Sequence, residues 1–265
     1  MHRLTRRVRF SVNPFLPEQS EGFNSFSSKP NGEGLSIFLE LSIELVDNVE
    51  HATGFVVNVS DIDKIVRNNA IPVFRNSIQE HYQQARHISL STIIDLLKSS
   101  YEQLKDKFGT AQINIITLNL NPFRKVAMKS EDIDMIYFSE KFEFAATHKL
   151  WNENFTEEQN FEIFGKCANP TSHGHNYIAE VTIKMPKDRS GFKIGDYEKI
   201  VDTEFIKRVD HKNLNLDVER FKKANPTVEN ITTFAWEKLI GKFGDQLLYC
   251  VTVWESDRTY CSYYG

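Results

Sequence analysis

Cysteine is scarce in this sequence: three among 265 residues, at Cys167, Cys250 and Cys261. An odd count with no framework spacing excludes a disulfide scaffold and fits a reducing cytosol. Long apolar runs are missing too. None approaches the roughly 20 residues that a membrane helix needs, so no membrane partner is expected. Neither sign of charge dominates: 32 Lys and Arg against 36 Asp and Glu leave a net charge of −4, which offers nucleic acid no basic surface. Arg3, Arg6, Arg7 and Arg9 crowd the N-terminus with no hydrophobic stretch behind them. A secretory signal is therefore not expected, and Val8 to Val12 reads as a strand. What remains, 40% hydrophobic and 26% charged residues, describes an ordinary globular chain long enough for two domains.

One stretch is chemically dense. Phe164 to Tyr177 reads Phe-Gly-Lys-Cys-Ala-Asn-Pro-Thr-Ser-His-Gly-His-Asn-Tyr, and Phe-Ala-Ala-Thr-His-Lys-Leu precedes it. Side chains alternate along a strand, so an extended segment leaving His173 places His173 and His175 on one face. Tyr137 to His148 also alternates, and it brings His148 as a third imidazole from a neighbouring strand. Three histidines with one position left open is the arrangement of a catalytic zinc; structural zinc sites fill all four positions, usually with cysteine. A lone strand histidine satisfied by backbone groups would be the plainer reading, and the density of three argues against it. Cys167 sits in a turn-rich loop beside Lys166, a setting that lowers a thiol's pKa. On chemistry alone it is either a base or a fourth zinc ligand.

The two halves repeat a pattern. Leu39 to Leu45 alternates like Ala179 to Met185, and Gly54-Phe55-Val56-Val57 answers Gly191-Phe192-Lys193-Ile194. Tyr101 to Gly109 then answers Trp236 to Gly244, at offsets that drift from about 140 to about 135. The reading is two diverged units of about 130 residues, each with two strands, a short helix, a long helix and two more strands. The second unit's strands are expected near 137–147, 176–185, 246–255 and 258–264, and its helices near 197–208 and 228–243. Thr227 is the expected N-cap of the last helix, and Phe243-Gly244 its stop. Residues 18–34, rich in Ser, Gly, Asn and Pro, are expected as a long mobile loop. The first unit has no cysteine and no His-x-His pair, and where the second has Ala-Ala-Thr-His it has Val12-Asn13-Pro14-Phe15. It is expected to be structural.

The motif around Cys167, His173 and His175, the preceding Ala-Ala-Thr-His, Asp210-His211-Lys212-Asn213-Leu214-Asn215, Pro226 to Asn230 and Val253-Trp254-Glu255 together resemble the 6-pyruvoyltetrahydropterin synthase family. The resemblance covers 135–265; the first half resembles the same fold in pattern only. It implies an α+β chain of two tandem T-fold units, each a four-stranded antiparallel sheet with two helices on one face, oligomerising into a barrel. Residues 1–130 would be a degenerate unit and 135–265 the catalytic one. Three chains would supply six units.

The implied reaction takes 7,8-dihydroneopterin triphosphate, eliminates triphosphate and rearranges the side chain to a pyruvoyl group. By the same resemblance His148, His173 and His175 hold zinc, Cys167 is the general base, and Asp210 with His211 completes a proton relay. Glu255 anchors the pterin, with Thr227 and Glu229 close to it. Asn119 stands in the first unit where Glu255 stands in the second. Two rivals follow. One is 6-carboxytetrahydropterin synthase of queuosine precursor synthesis, whose cysteine usually lies closer to the His-x-His pair. The other is a non-catalytic pterin-binding or scaffold protein.

Overall fold

The structure, a computed structural model, describes residues 1–15, 35–186 and 192–265, so the loop expected at 18–34 lies outside the described residues. The chain is α+β and divides into two compact units, with the boundary between Phe138 and Ser139.

The first unit begins with β1 (His2–Val12) and β2 (Ile37–Asp47), antiparallel from His2↔Asp47 to Val12↔Ile37. Alternation decides the faces: Val8, Phe10 and Val12 are buried with Leu41, Ile43 and Leu45, while Arg7, Arg9 and Glu40 point the other way. Three helices follow, α1 (Val59–Asn69), α2 (Ile71–Gln83) and α3 (Leu90–Leu104), where two were expected. The extra break has a local cause. Pro72 lacks the N–H that an uninterrupted helix needs there, so it starts α2 just after α1 ends. Asn58 caps α1 by accepting from the Ser60 N–H at 2.9 Å, and Ser89 caps α3 from the Thr92 N–H at 3.2 Å. Strands β3 (Gln112–Asn119) and β4 (Arg124–Lys129) complete the order β1-β2-β3-β4. Arg6 grips Asp63 of α1 with two hydrogen bonds of 2.7 and 2.9 Å.

The second unit holds β5 (Met135–His148) from Ser139 onward. A short helix α4 (Glu157–Phe164) precedes β6 (His173–Pro186). Helix α4 was not expected, although its capping box is written in the sequence. The Thr156 hydroxyl accepts from the Gln159 N–H at 3.2 Å, and the Gln159 side chain accepts from the Thr156 N–H at 2.9 Å. Next come α5 (Ile194–Val201), a π turn (Asp202–Ile206) and α6 (Lys207–Val209), where one helix over 197–208 was expected. The short β7 (Lys212–Asn213) lies parallel to β5, and α7 (Leu214–Asp217) follows it. Helix α8 (Val228–Leu239) stops short of the expected Phe243. Ile240 leaves the helix, Gly241 takes a φ of +73° that suits glycine, and Phe243 turns inward to stack on Tyr197 at 5.4 Å. Strands β8 (Leu247–Ser256) and β9 (Thr259–Tyr263) close the order β5-β6-β8-β9.

The first unit runs two strands, helices, two strands; the second follows the same order apart from α4 between its first two strands and the short β7 among its helices. In each, the second strand shifts register against the third, at Glu44/Leu45 and at Thr182/Ile183.

Candidate metal centre

Strand geometry delivers the histidines. His148 is the last residue of β5 and is 1% exposed; His173 and His175 open β6, three residues earlier than the strand was expected to begin. The alternation argument therefore applies within the strand itself. Gly174 between them lets the two strands close up, since a Cβ there would lie 3.2 Å from Thr147 Cγ2 and 3.4 Å from the Ala146 carbonyl. Ring centroids are 4.5 Å apart for His148–His173, 4.8 Å for His173–His175 and 5.2 Å for His148–His175.

The donor set fits a metal ion. One ligand nitrogen from each ring lies within 4.8 Å of the others, and Cys167 is not in that group. His148 Nδ1 is 2.7 Å from the Pro226 carbonyl, which can only accept, so Nδ1 carries the proton and Nε2 keeps its lone pair. That Nε2 lies 3.1 Å from His173 Nε2, close to the ~3.3 Å between two nitrogens of one tetrahedral zinc. Among the described residues, the buried side-chain nitrogens or oxygens with no hydrogen-bond partner are His173 Nδ1 and His175 Nε2. Burial pushes the pKa of His148 and of His173 down, which keeps both neutral and able to donate lone pairs near neutral pH.

Glu255, near the end of β8, lies against this trio. Its Oε1 is 3.6 Å from His148 Nε2 and 3.6 Å from His175 Nε2. Tyr177 donates its hydroxyl to the same Oε1 at 3.5 Å and stacks on Phe144, centroids 4.9 Å apart and 8° from parallel. Burial, then the charge of Glu255, raises the Tyr177 pKa steeply, so the phenol stays a donor. The sequence offered Tyr177 only as the end of a motif, and its partnership with Glu255 spans β6 and β8. Cys167 sits half-buried on a 3₁₀ turn (Gly165–Ala168), and its carbonyl accepts from the Leu150 N–H at 2.8 Å. Burial and the Glu255 charge push its thiol pKa up, opposite to the lowering that Lys166 suggested.

The π turn and α6 end at Asp210, and π turns recur at functional sites. Asp210 Oδ1 accepts from the Ala145 N–H at 2.9 Å, and its Oδ2 lies 2.9 Å from His211 Nδ1. Those Ala145 and His211 contacts depress its pKa. His211 donates its N–H to the Ala145 carbonyl at 2.6 Å and takes a φ of +55°, a left-handed conformation that costs a non-glycine residue energy. Its side chain is 83% exposed and borders a pocket of about 430 Å³ together with His175, Gly174 and Asn213. Among the described residues, no hydrogen bond or ion pair links Cys167 to Asp210 or His211.

Thr227 caps α8, accepting from the Asn230 N–H at 3.3 Å, and Glu229 is exposed in its first turn. Neither side chain hydrogen-bonds or ion-pairs with the histidines. The nearest tie from that segment is the Pro226 carbonyl, which sequence reasoning had passed over.

The sequence model of the family "6-pyruvoyl tetrahydropterin synthase" matches residues 137–265. The chain is 36% identical over 126 residues to 6-pyruvoyl tetrahydrobiopterin synthase of Drosophila melanogaster, spanning 46% of this chain and 75% of that protein. It is 34% identical over 130 residues to the Homo sapiens protein of the same name, spanning 48% of this chain and 90% of that protein. A solved 6-pyruvoyl tetrahydropterin synthase of Caenorhabditis elegans aligns with a TM-score of 0.45 at 32% identity, over 49% of this chain and 96% of that one. The chain belongs to the 6-pyruvoyl tetrahydropterin synthase family.

Proposed function

We propose that this chain is a zinc-dependent 6-pyruvoyltetrahydropterin synthase, a carbon–oxygen lyase that eliminates triphosphate from 7,8-dihydroneopterin triphosphate. The observation that carries the reading is the trio His148, His173 and His175, with ligand nitrogens within 4.8 Å of one another, among them His175 Nε2, which is buried with no hydrogen-bond partner. A bound zinc supplies Lewis acidity toward the substrate's side-chain oxygens.

The chain's own groups do the rest. The Cys167 sulfur takes a carbon-bound proton. A thiol whose pKa is raised yields a scarce thiolate, but a strongly basic one. Asp210 holds the His211 Nδ1 proton at 2.9 Å, which leaves Nε2 free to pass the next proton. Glu255 offers two oxygens to the amino-pyrimidine edge of the pterin, a charge-assisted pairing. Thr227 and Glu229 are assigned positions near the pterin by the family motif.

The proposal extends to architecture. The shared strand order and the matching register shifts support two tandem T-fold units, the one at 1–130 a scaffold and the one at 135–265 catalytic. Three chains would then close six units into a barrel, in the cytosol. No helix among the described residues is long and apolar enough to cross a membrane.

Incubating purified protein with 7,8-dihydroneopterin triphosphate and identifying the product tests the activity. A pyruvoyl product is expected. A carboxylated product would reassign the chain to 6-carboxytetrahydropterin synthase, and no product would leave a pterin-binding scaffold.

A further inference from the structure

A second and larger pocket of the catalytic unit, about 780 Å³, has no role in the chemistry above. Its lining is polar and cationic: Lys149, Lys222 and Lys223 face one acidic residue, Glu153. It adjoins the metal centre along the chain, because Lys149 follows His148 and the lining residue Ser172 precedes His173. It adjoins the smaller pocket too, since Asn213 lines both.

The walls are held before any ligand arrives. The Asn215 side chain clamps the Lys149 backbone, accepting from its N–H at 2.8 Å and donating to its carbonyl at 2.9 Å. The Lys149 ammonium lies 3.7 Å from the centre of the Trp151 ring, and Asn225 fixes Trp151 by accepting its N–H at 2.9 Å. Lys222 is paired at 2.8 Å with Glu219, but both side chains are largely exposed, at 49% and 77%. Such a pair is weak and gives way to a more highly charged partner.

We propose that this pocket is a polyphosphate subsite, in which Lys149, Lys222 and Lys223 hold the triphosphate of the substrate while the smaller pocket holds the reacting end. The assignment rests on the reading of the substrate given above. Its chemistry is that of any linear polyphosphate: a multiply charged anion met by lysine point charges, in a cavity of ordinary ligand size. Holding the leaving group away from the histidines separates the bond that breaks from the charge that must depart.

The test is titration calorimetry of the metal-loaded full chain with inorganic triphosphate. The variants are a Lys222→Gln/Lys223→Gln double change and Lys149→Gln, with melting temperature as the folding control. The double variant is expected to bind triphosphate about tenfold more weakly, and Lys149→Gln similarly. KM for 7,8-dihydroneopterin triphosphate should rise in parallel with kcat largely kept, while zinc content and affinity for unphosphorylated 7,8-dihydroneopterin stay unchanged. Because triphosphate also binds metals, His173→Ala serves as a second arm, and lysine-dependent binding should survive it. Wild-type affinity in the lysine variants would overturn the proposal, as would binding lost only in His173→Ala or no binding at all. Lysine-dependent binding without a pyruvoyl product would keep the subsite and sink the assigned reaction. A pyruvoyl product with lysine-independent binding would do the reverse.

Discussion

Two positions that the sequence pattern aligns, Phe15 and His148, are used differently in the two units. Phe15 is 71% exposed and meets Tyr82 edge-on, with centroids 5.7 Å apart; His148 is 1% exposed, with Nδ1 spent on Pro226 and Nε2 3.1 Å from His173 Nε2. Asn119 and Glu255 make a second pair. Asn119 donates to Glu40 at 2.9 Å, and Arg9 donates to the same carboxylate at 3.0 Å, so Asn119 is paired within the first unit. Glu255 instead faces His148 and His175. Among the described residues, the buried side-chain nitrogens with no hydrogen-bond partner, His173 Nδ1 and His175 Nε2, belong to the second unit. Buried polar atoms are normally paired, so a unit that leaves some open is holding them for something else.

Changes that strike one unit or both can break this comparison. The largest effect is expected from Cys167→Ala, which should cut turnover by roughly 10²–10⁴-fold with metal retained. His81→Ala in the first unit should leave turnover unchanged, and steady-state kinetics on both reads the contrast. Full turnover in Cys167→Ala would remove the base assignment.

Next in size are core truncations at aligned positions. Ile43 and Ile183 are both fully buried, and replacing either by Ala should cost about 2–5 kcal/mol in denaturant unfolding. Similar costs are what a shared architecture implies; a near-zero cost at Ile43 would show the first unit to be loosely packed.

Helix caps should matter less. Asn58→Ala and Thr227→Ala should each cost about 1 kcal/mol by thermal melting. Thr227→Ser should restore both stability and turnover if the threonine acts through its cap. Restored stability without restored turnover would instead place it at the substrate.

The smallest effect concerns pH. The folded-state pKa of Asp210 is depressed, chiefly by the Ala145 N–H, so its contribution is present above the ordinary Asp value of about 3.9 and is lost as pH falls through the lower folded value. Carboxyl chemical shifts should give a midpoint below about 3.9. A midpoint at or above that value would mean the bond to Ala145 is not kept in solution.

Much of the second unit's site was legible because its grammar is local. Alternation alone put His173 and His175 on one face, and a second alternating run supplied His148. What was not legible depends on contacts far apart in sequence. Nothing near Asp210 announces that its carboxylate accepts from Ala145, or that His211 pairs with the same residue in a left-handed conformation. The Cys167 thiol is shifted against the expected direction for the same reason: Lys166 is its neighbour in sequence, but burial and Glu255 act on it in space. Helix ends failed differently. Phe243 looked like the last helical residue because it is apolar and precedes a glycine, yet the chain had already turned at Gly241. The capping box of α4, by contrast, is local and stands in the sequence as Thr156 and Gln159.

The central claim is that the metal chemistry belongs to His148, His173 and His175 and to nothing in the first unit. Metal analysis of the purified chain beside His173→Ala, His51→Ala and His81→Ala tests it most directly. Zinc should be present in the wild-type chain, absent from His173→Ala and undiminished in the two first-unit variants. Zinc that survives His173→Ala, or that leaves with His51 or His81, would contradict the account.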